Sequence, residues 1–446
     1  MSSTAKTAAS STAKTAASST AKTAASSTAN TAAKTVLISG ASVAGPALAL
    51  WLHRHGFTPT VVERAPELRT GGYKVDIRGT AIEVCRRMGI LDEIRAKSTD
   101  MRGGSYVDDA GRTIGELPAD VFGGRVEEDD EIMRGDLARI LYERTRDDVE
   151  YLFDDSIGTL TEDADGVTVT FDSGTVRRFD LVVGADGLHS HTRKLAFGPE
   201  ERFKRHLGAY ISIFTAPNHL GLDRWETYHA IPRKLLCVYS SSGETDAKNL
   251  FVFSAPEDVP YDLRDVTDQK RLLADTFAGD GWEVPRLLEH AAGADDFYLD
   301  SMSLVEMDRW SRGRVVLLGD AAHCASPASG QGTGLALTGA YVLAGELARA
   351  GGDHTVAFAR YEERMRPGVE QNQRMAEGFV KEMTVDAKWK IALRMLMVRT
   401  LPKTPWKNLI AKKIRDGIQS AANAVPIEDY PAPTGAPAAP RPTVTA

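Results

Sequence analysis

The sequence predicts an α/β protein with a mostly antiparallel sheet set into it and long helices at its C-terminal end. Three stretches predict this: TVLISGASVAG at 35–45, DLVVGADG at 180–187 and RVVLLGDAAHCASPASGQGTG at 314–334. Each opens as a short apolar, β-branched run, breaks at a glycine, and leads towards a helix. Short apolar runs bounded by glycine suit strands buried on both faces, as in a parallel sheet flanked by helices. Repeated strand–glycine–helix units of this kind are Rossmann-like.

The elements follow in order. Residues 2–33 are four near copies of SSTAKTAA, the last reading SSTANTAA. Small residues alone bury too little apolar surface to offset the entropy of ordering, so 1–34 is expected to be a disordered tail. Its lysines come without arginine or an amphipathic face, which argues against a targeting peptide. Thr35–Ser39 reads as a strand, Pro46–His55 as a helix closed by Gly56, and Thr58–Val62 as a second strand ending at Glu63. Gly40, Ser42 and Gly45 occupy the three glycine positions of a dinucleotide fingerprint, and Glu63 lies 23 residues after the first. Ser42 departs from that pattern, exchanging close backbone approach for a hydroxyl that a phosphate can use.

Asp76–Gly79 leads into a helix ending at Gly89, residues 104–118 form a hairpin around Asp109-Ala110-Gly111, and Ile132-Met133-Arg134-Gly135-Asp136-Leu137 opens a helix running through Arg144. Strands are expected at 149–152, 167–171 and 175–179, with Asp172-Ser173-Gly174 as a turn. The strand Asp180–Gly184 ends in Asp186-Gly187. From 208 to 304 the chain becomes strand-rich and aromatic (208–216, 224–231, 235–241, 250–254, 297–304), with helices at 267–277 and 284–291. Aromatic residues on a sheet predict core. The third stretch gives a strand at 315–318, an acid at Asp320, a loop with Pro327, Gly330, Gly332 and Gly334, and a helix at 335–350. Helices at 354–382, 385–398 and 408–422 follow, broken at Leu401–Pro405, and the Met-rich run Met383–Met397 is expected to be core. The expected divisions are thus 1–34, 35–206, 207–304 (the inserted sheet), 305–350, 351–422 and a loose tail at 423–446.

Composition excludes several classes. The net charge is −7, and residues 35–446 hold 50 basic against 61 acidic side chains, which disfavours a nucleic-acid-binding body. Three cysteines, Cys85, Cys237 and Cys324, match no metal spacing and suit a reduced, cytoplasmic setting. No run approaches the ~20 apolar residues of a membrane span, so stable insertion is not expected.

Together, GASVAG with Glu63, DLVVGADGLHSHTR and RVVLLGDAAHCASPASGQGTG resemble the group A FAD-dependent aromatic hydroxylases, which share the p-hydroxybenzoate hydroxylase fold. The tetracycline-degrading flavin monooxygenases look most similar. The resemblance spans about 35–420 and implies an FAD-binding domain, with NAD(P)H, O2 and a small-molecule substrate as partners of a monomer or weak dimer. It places Gly40, Ser42, Val43, Ala44, Gly45, Glu63 and Arg64 at the ADP half of FAD. Arg64 then says nothing about NADP preference. Arg134 falls at the diphosphate and ribityl region, Asp76 near the flavin, and Asp186-Gly187 at the DG motif serving FAD and NAD(P)H. Gly319-Asp320 falls at the GD motif that binds ribityl hydroxyls, and Pro327, Gly330, Gly332, Thr333 and Gly334 lie along the ring. The implied chemistry is reduction of FAD by NAD(P)H, addition of dioxygen at C4a, and oxygen transfer from the hydroperoxide to an aromatic or polyketide-like compound. A reductase or oxidase on the same fold is the alternative. Thr338-Gly339 replaces an acid found in many relatives. His323 reads as structural and Cys324 as a packed thiol.

Overall fold

The computed structural model describes residues 34–430 apart from 70, 120–124, 256–258, 260–261 and 263. The repeats at 2–33 and the Pro/Ala stretch 431–446 lie outside the described residues. Five parallel strands form the central sheet in the order Val315–Leu317, Leu181–Gly184, Thr35–Ser39, Thr58–Glu63 and Glu150–Phe153, and Ser311–Arg312 adds an antiparallel edge. Val36, Leu37, Ile38, Val182 and Val183 are wholly buried, as the unbroken apolar runs require when helices cover both faces. The order matters for the site. From Thr35–Ser39 the chain moves to one neighbour, Thr58–Glu63, and the other neighbour comes from far along the sequence. The crevice at the carboxyl ends of such strands is where ligands bind in open α/β sheets. The glycine turns of all three sequence motifs lie at the carboxyl ends of three adjacent strands.

The helix Ala44–Arg54 packs on the long helix Gly332–Arg349, with Trp51 edge-on to Tyr341 at 4.9 Å. A seven-stranded sheet lies beside this body. Its order is Tyr298–Val305, Lys204–Pro217, Asp246–Ser254, Lys234–Ser240, Trp225–Ile231, Gly103–Val107 and Thr113–Pro118. It is antiparallel except where Trp225–Ile231 meets Gly103–Val107. The expected hairpin around Asp109–Gly111 therefore forms, and it extends the inserted sheet. Its aromatics are core as expected: Tyr210, Phe214, Phe251 and Phe253 are buried, with Phe251 perpendicular at 4.8 Å to Phe277 of the helix Val266–Phe277.

The structure adds elements that the hydropathy pattern did not show. Lys74–Ile77 pairs with Asp130–Met133 in a charged ribbon, so Ile132 and Met133, expected to open a helix, end a strand instead and the helix starts at Arg134. Ile157–Glu162 joins Val167–Phe171 and Val176–Phe179 in a three-stranded sheet, and Leu91–Ala96 is a short helix. Residues 423–430, read from sequence as the start of a loose tail, are packed: Val425 is buried, and the Tyr430 hydroxyl donates to Glu346 at 2.8 Å.

One expectation is overturned. The Met-rich run is not core: in the helix Lys388–Thr400 only Met395 and Val398 are buried, while Trp389, Leu393, Leu396 and Met397 are exposed. The helix touches the body along one line, where Val398 packs over Gly115 of the strand Thr113–Pro118. Among the described residues, no helix is long and apolar enough to cross a membrane.

Candidate active site

Backbone-to-backbone packing locks the three motifs together. A Cβ on Gly45 would lie 1.9 Å from the Gly40 carbonyl oxygen, so only glycine lets the helix Ala44–Arg54 start this close to its strand. Gly40 has φ of +107°, and a Cβ there would come within 2.5 Å of the Ala185 carbonyl oxygen, tying the first motif to the second. The buried Arg193 ties the second to the third, its Nη1 donating to the Ala321 carbonyl at 3.0 Å. Gly319 closes the circle between Ala44 and Ala336, whose Cβ atoms would stand 3.4 and 3.5 Å from a Cβ at that position.

Two helices of 11 and 18 residues therefore begin beside one another, at Ala44 and at Gly332. Neither has a side-chain cap or an acidic residue in its first turn. Their free amides and dipoles sum to a positive field over Gly319-Asp320, a ready site for an anion. Asp320 sits at the floor of this cleft. Its carboxylate is open to the cleft but walled in by protein on its other sides. This burial raises its pKa, against the Cys324 thiol hydrogen bond and the Arg134 charge, which favour the ion. Gly332 comes within 3.7 Å of Asp320 Oδ1 and Gly330 within 3.5 Å of Asp76 Oδ2, each measured from an added Cβ. The glycine loop thus runs past both carboxylates. Ser326 enters it at φ +61°, a conformation costly for serine, just before Pro327 opens a short 3-10 turn.

Arg134 bridges the mouth, donating to Ser42 Oγ at 3.0 Å and to the Gly71 carbonyl at 2.9 Å. The serine that breaks the glycine fingerprint is thus an anchor for the arginine. Glu63 ends its strand buried, accepting from the Ala41 amide at 2.9 Å and the Ala65 amide at 3.0 Å. Arg69 lies 3.8 Å from it, whereas Arg64 is exposed. Asp76 pairs with Arg78 at 2.9 Å. The Asp186 carboxylate accepts from Thr192 N at 2.8 Å, Thr192 Oγ1 at 2.9 Å and Ser190, so it holds the start of the helix His191–Phe197. Gly187 is the member of that pair with open space above it. Pro327 and Thr333 are half-buried along the loop, and Val43 and Ala44 open the first helix.

Other participants were not read from sequence. Tyr73 follows the double glycine Gly71-Gly72, and burial with the nearby Asp320 charge pushes its phenol up to about 12. An aromatic after a glycine pair was the available signal. His189 bridges Glu200 and Asp300, both at 3.0 Å, and Tyr298 donates to Asp300 at 2.9 Å. Burial lowers the His189 pKa, but the two carboxylates outweigh it and bring the group to about 9. Beneath the charged ribbon, Lys74 pairs with Glu131 at 3.1 Å and also with Glu226, and Arg125 pairs with Glu131. Burial alone would raise Glu131; Lys74 and Arg125 instead hold it well below the usual carboxylate range. His323 is structural as expected, packed 4.6 Å from Trp310 and 3.3 Å from the Tyr361 hydroxyl, and burial brings it down to about 4. Burial pushes the Cys324 thiol up.

This arrangement fits an adenine dinucleotide carrying a redox ring. It offers a carboxylate at the end of the second strand, uncapped amides with an arginine at the centre, and a second carboxylate beside a bare glycine loop. Residues 33–376 match the family model described as FAD binding domain. The chain belongs to this FAD-binding family of group A flavin monooxygenases. An uncharacterized protein of Mycobacterium tuberculosis is 49% identical over 342 residues, covering 76% of this monooxygenase and 92% of the relative. A flavin-dependent monooxygenase from an unknown prokaryotic organism is 45% identical over 340 residues, covering 76% and 88%. Among solved structures, tetracycline destructase Tet(51) superimposes with a TM-score of 0.78 at 37% identity, covering 89% of this monooxygenase and all of that chain.

Proposed function

We propose that this monooxygenase uses NAD(P)H and O2 to hydroxylate an aromatic or polyketide-like small molecule, with tetracycline-type antibiotics the first candidates. The observation that carries the reading is the convergence of two uncapped helix N-termini on Asp320. The destructase likeness supports the substrate class. When bound, FAD supplies hydride acceptance and oxygen activation.

The chain's own residues position and insulate. Glu63 would take the adenosine ribose, and the amides of residues 42–45 with Arg134 the diphosphate. Asp320 would accept from ribityl hydroxyls, where a charge-assisted bond would contribute about 1.5–3 kcal/mol. The amides of Gly332, Thr333 and Gly334, backed by an 18-residue helix, would stabilise negative charge at the ring edge. Gly187 leaves room beyond the strand Leu181–Gly184 for a nicotinamide co-substrate. His323, held neutral, takes no proton at pH 7. In this reading the protein works in the cytoplasm as a monomer or weak dimer.

The test is the anaerobic rate at which NADPH and NADH bleach the bound flavin, with and without a panel of polyphenols and tetracyclines. Acceleration by one compound, with hydroxylated product in air, is the expected outcome. Fast bleaching that no compound alters points to a reductase or oxidase instead.

A further inference from the structure

Eight of the twelve large hydrophobic side chains exposed among the described residues fall in one short segment: Trp389, Leu393, Leu396, Met397, Trp406, Leu409, Ile410 and Ile414. They lie on two helices, Lys388–Thr400 and Lys407–Ala422, with Trp406 immediately before the second, joined through a turn at Leu401–Lys403. Residues 387–415 contain nine basic side chains and no acid, leaving −16 for the rest of a chain whose net charge is −7. The basic residues interleave with the apolar ones. Lys388, Lys390, Arg399, Lys403, Lys407, Lys412 and Lys413 are all exposed.

We propose that this helix pair docks the protein on the surface of an anionic lipid bilayer. Exposed tryptophan and leucine beside lysine and arginine are what an interfacial helix needs: rings and branched chains enter the headgroup boundary while the cations meet lipid phosphates. Long lysine stems let the charges stay in water as the apolar atoms sink. The charge pattern selects this occupant over others. In a two-fold pairing of copies, nine positive charges would face nine. A nucleic acid would satisfy the cations but leave Leu393, Leu396, Leu409, Ile410 and Ile414 without use.

The anchoring of the pair supports the same reading. Lys407–Ala422 is held at its last turns, where Gln371 donates to Ser420 at 3.0 Å, Asn372 to the Ala421 carbonyl at 3.1 Å, and Gln419 to Asp129 at 2.7 Å. Its first turns carry Trp406, Leu409 and Ile410 outward. Through Asp129 and Arg78, at 4.0 Å, the anchored end adjoins Asp76 and the glycine loop. A lipid surface would thus lie close to the active-site cleft. The inference does not depend on which substrate is hydroxylated.

The test is co-sedimentation of the full-length, FAD-loaded protein with vesicles of phosphatidylcholine, with and without phosphatidylglycerol. Binding to the anionic vesicles at low salt, release at high salt, and little binding to phosphatidylcholine alone are expected. A Lys407→Glu, Lys412→Glu, Lys413→Glu variant should bind about a hundredfold more weakly. A Trp389→Ser, Trp406→Ser variant should also bind more weakly. Both should keep wild-type flavin content and spectrum, which shows that they fold. Failure of the wild-type protein to bind anionic vesicles overturns the proposal. So does undiminished binding by the triple glutamate variant, or a dimer seen by light scattering that the tryptophan variant dissolves while vesicle binding is absent.

Discussion

The cradle formed by 40–45 and 319–334 is built from small residues, and its space is filled by backbone. The helices of 388–422 are built from large residues, many of which have nothing packed over them. In the first region the absence of side chains makes the function, because bare amides and close approach create the positive field over Asp320. In the second the presence of side chains makes it, because tryptophans, leucines and lysines form a surface that the body of the chain leaves open. A change in the cradle should therefore act through the fold and the flavin. A change on the helix pair should leave both intact.

The most severe break of this contrast is Gly45→Val. With backbone oxygen 1.9 Å from the new Cβ, it should cost more than about 4 kcal/mol and give no soluble yellow protein on expression. Leu337→Ala in the cradle helix, at a wholly buried position, should cost about 2–5 kcal/mol in urea unfolding of the FAD-free protein. Two histidines beside the cradle act on stability with opposite sign. His189 has its folded pKa raised from 6.5 to about 9, so its contribution is full below pH 6.5 and is lost as pH rises through about 9. His323 has its folded pKa lowered from 6.5 to about 4, so its contribution is full above pH 6.5 and is lost as pH falls through about 4. Each effect is on the order of 2–3 kcal/mol. Melting temperature against pH should peak near 6.5, and His189→Gln should flatten the alkaline limb alone. Ser42→Gly restores the fingerprint but frees Arg134, and should weaken FAD binding about fivefold by fluorescence titration. Leu409→Ser on the helix pair, at 69% exposure, should shift stability by no more than about 0.5 kcal/mol.

The sequence exposed the cradle because its requirements are local. A strand, a glycine turn and a helix start are all written within a dozen residues, and Gly40, Gly45, Gly319 and Asp320 came directly from that pattern. The inserted sheet was legible for a similar reason, through its Tyr, Phe and Val runs. The ribbon Lys74–Ile77 with Asp130–Met133 was not legible, because its buried Lys74 is neutralised by Glu131 and Glu226, which are distant from it in sequence. Tyr73 and the His189 bridge were hidden likewise, since Asp320 and Asp300 lie far along the chain from them. The Met383–Met397 run misled because apolar content was read as burial, while its lysines already signalled a surface.

The measurement that bears most directly on the account is the flavin content of Asp320→Ala beside the wild-type protein. Both would be loaded with FAD, desalted and read by visible absorbance against protein concentration. Wild type should hold close to one FAD per chain, and the variant, lacking the carboxylate under the two helix ends, should bind FAD about ten- to a hundredfold more weakly and emerge largely colourless. A variant that keeps stoichiometric, tightly bound FAD would contradict the assignment of this cleft as the flavin site.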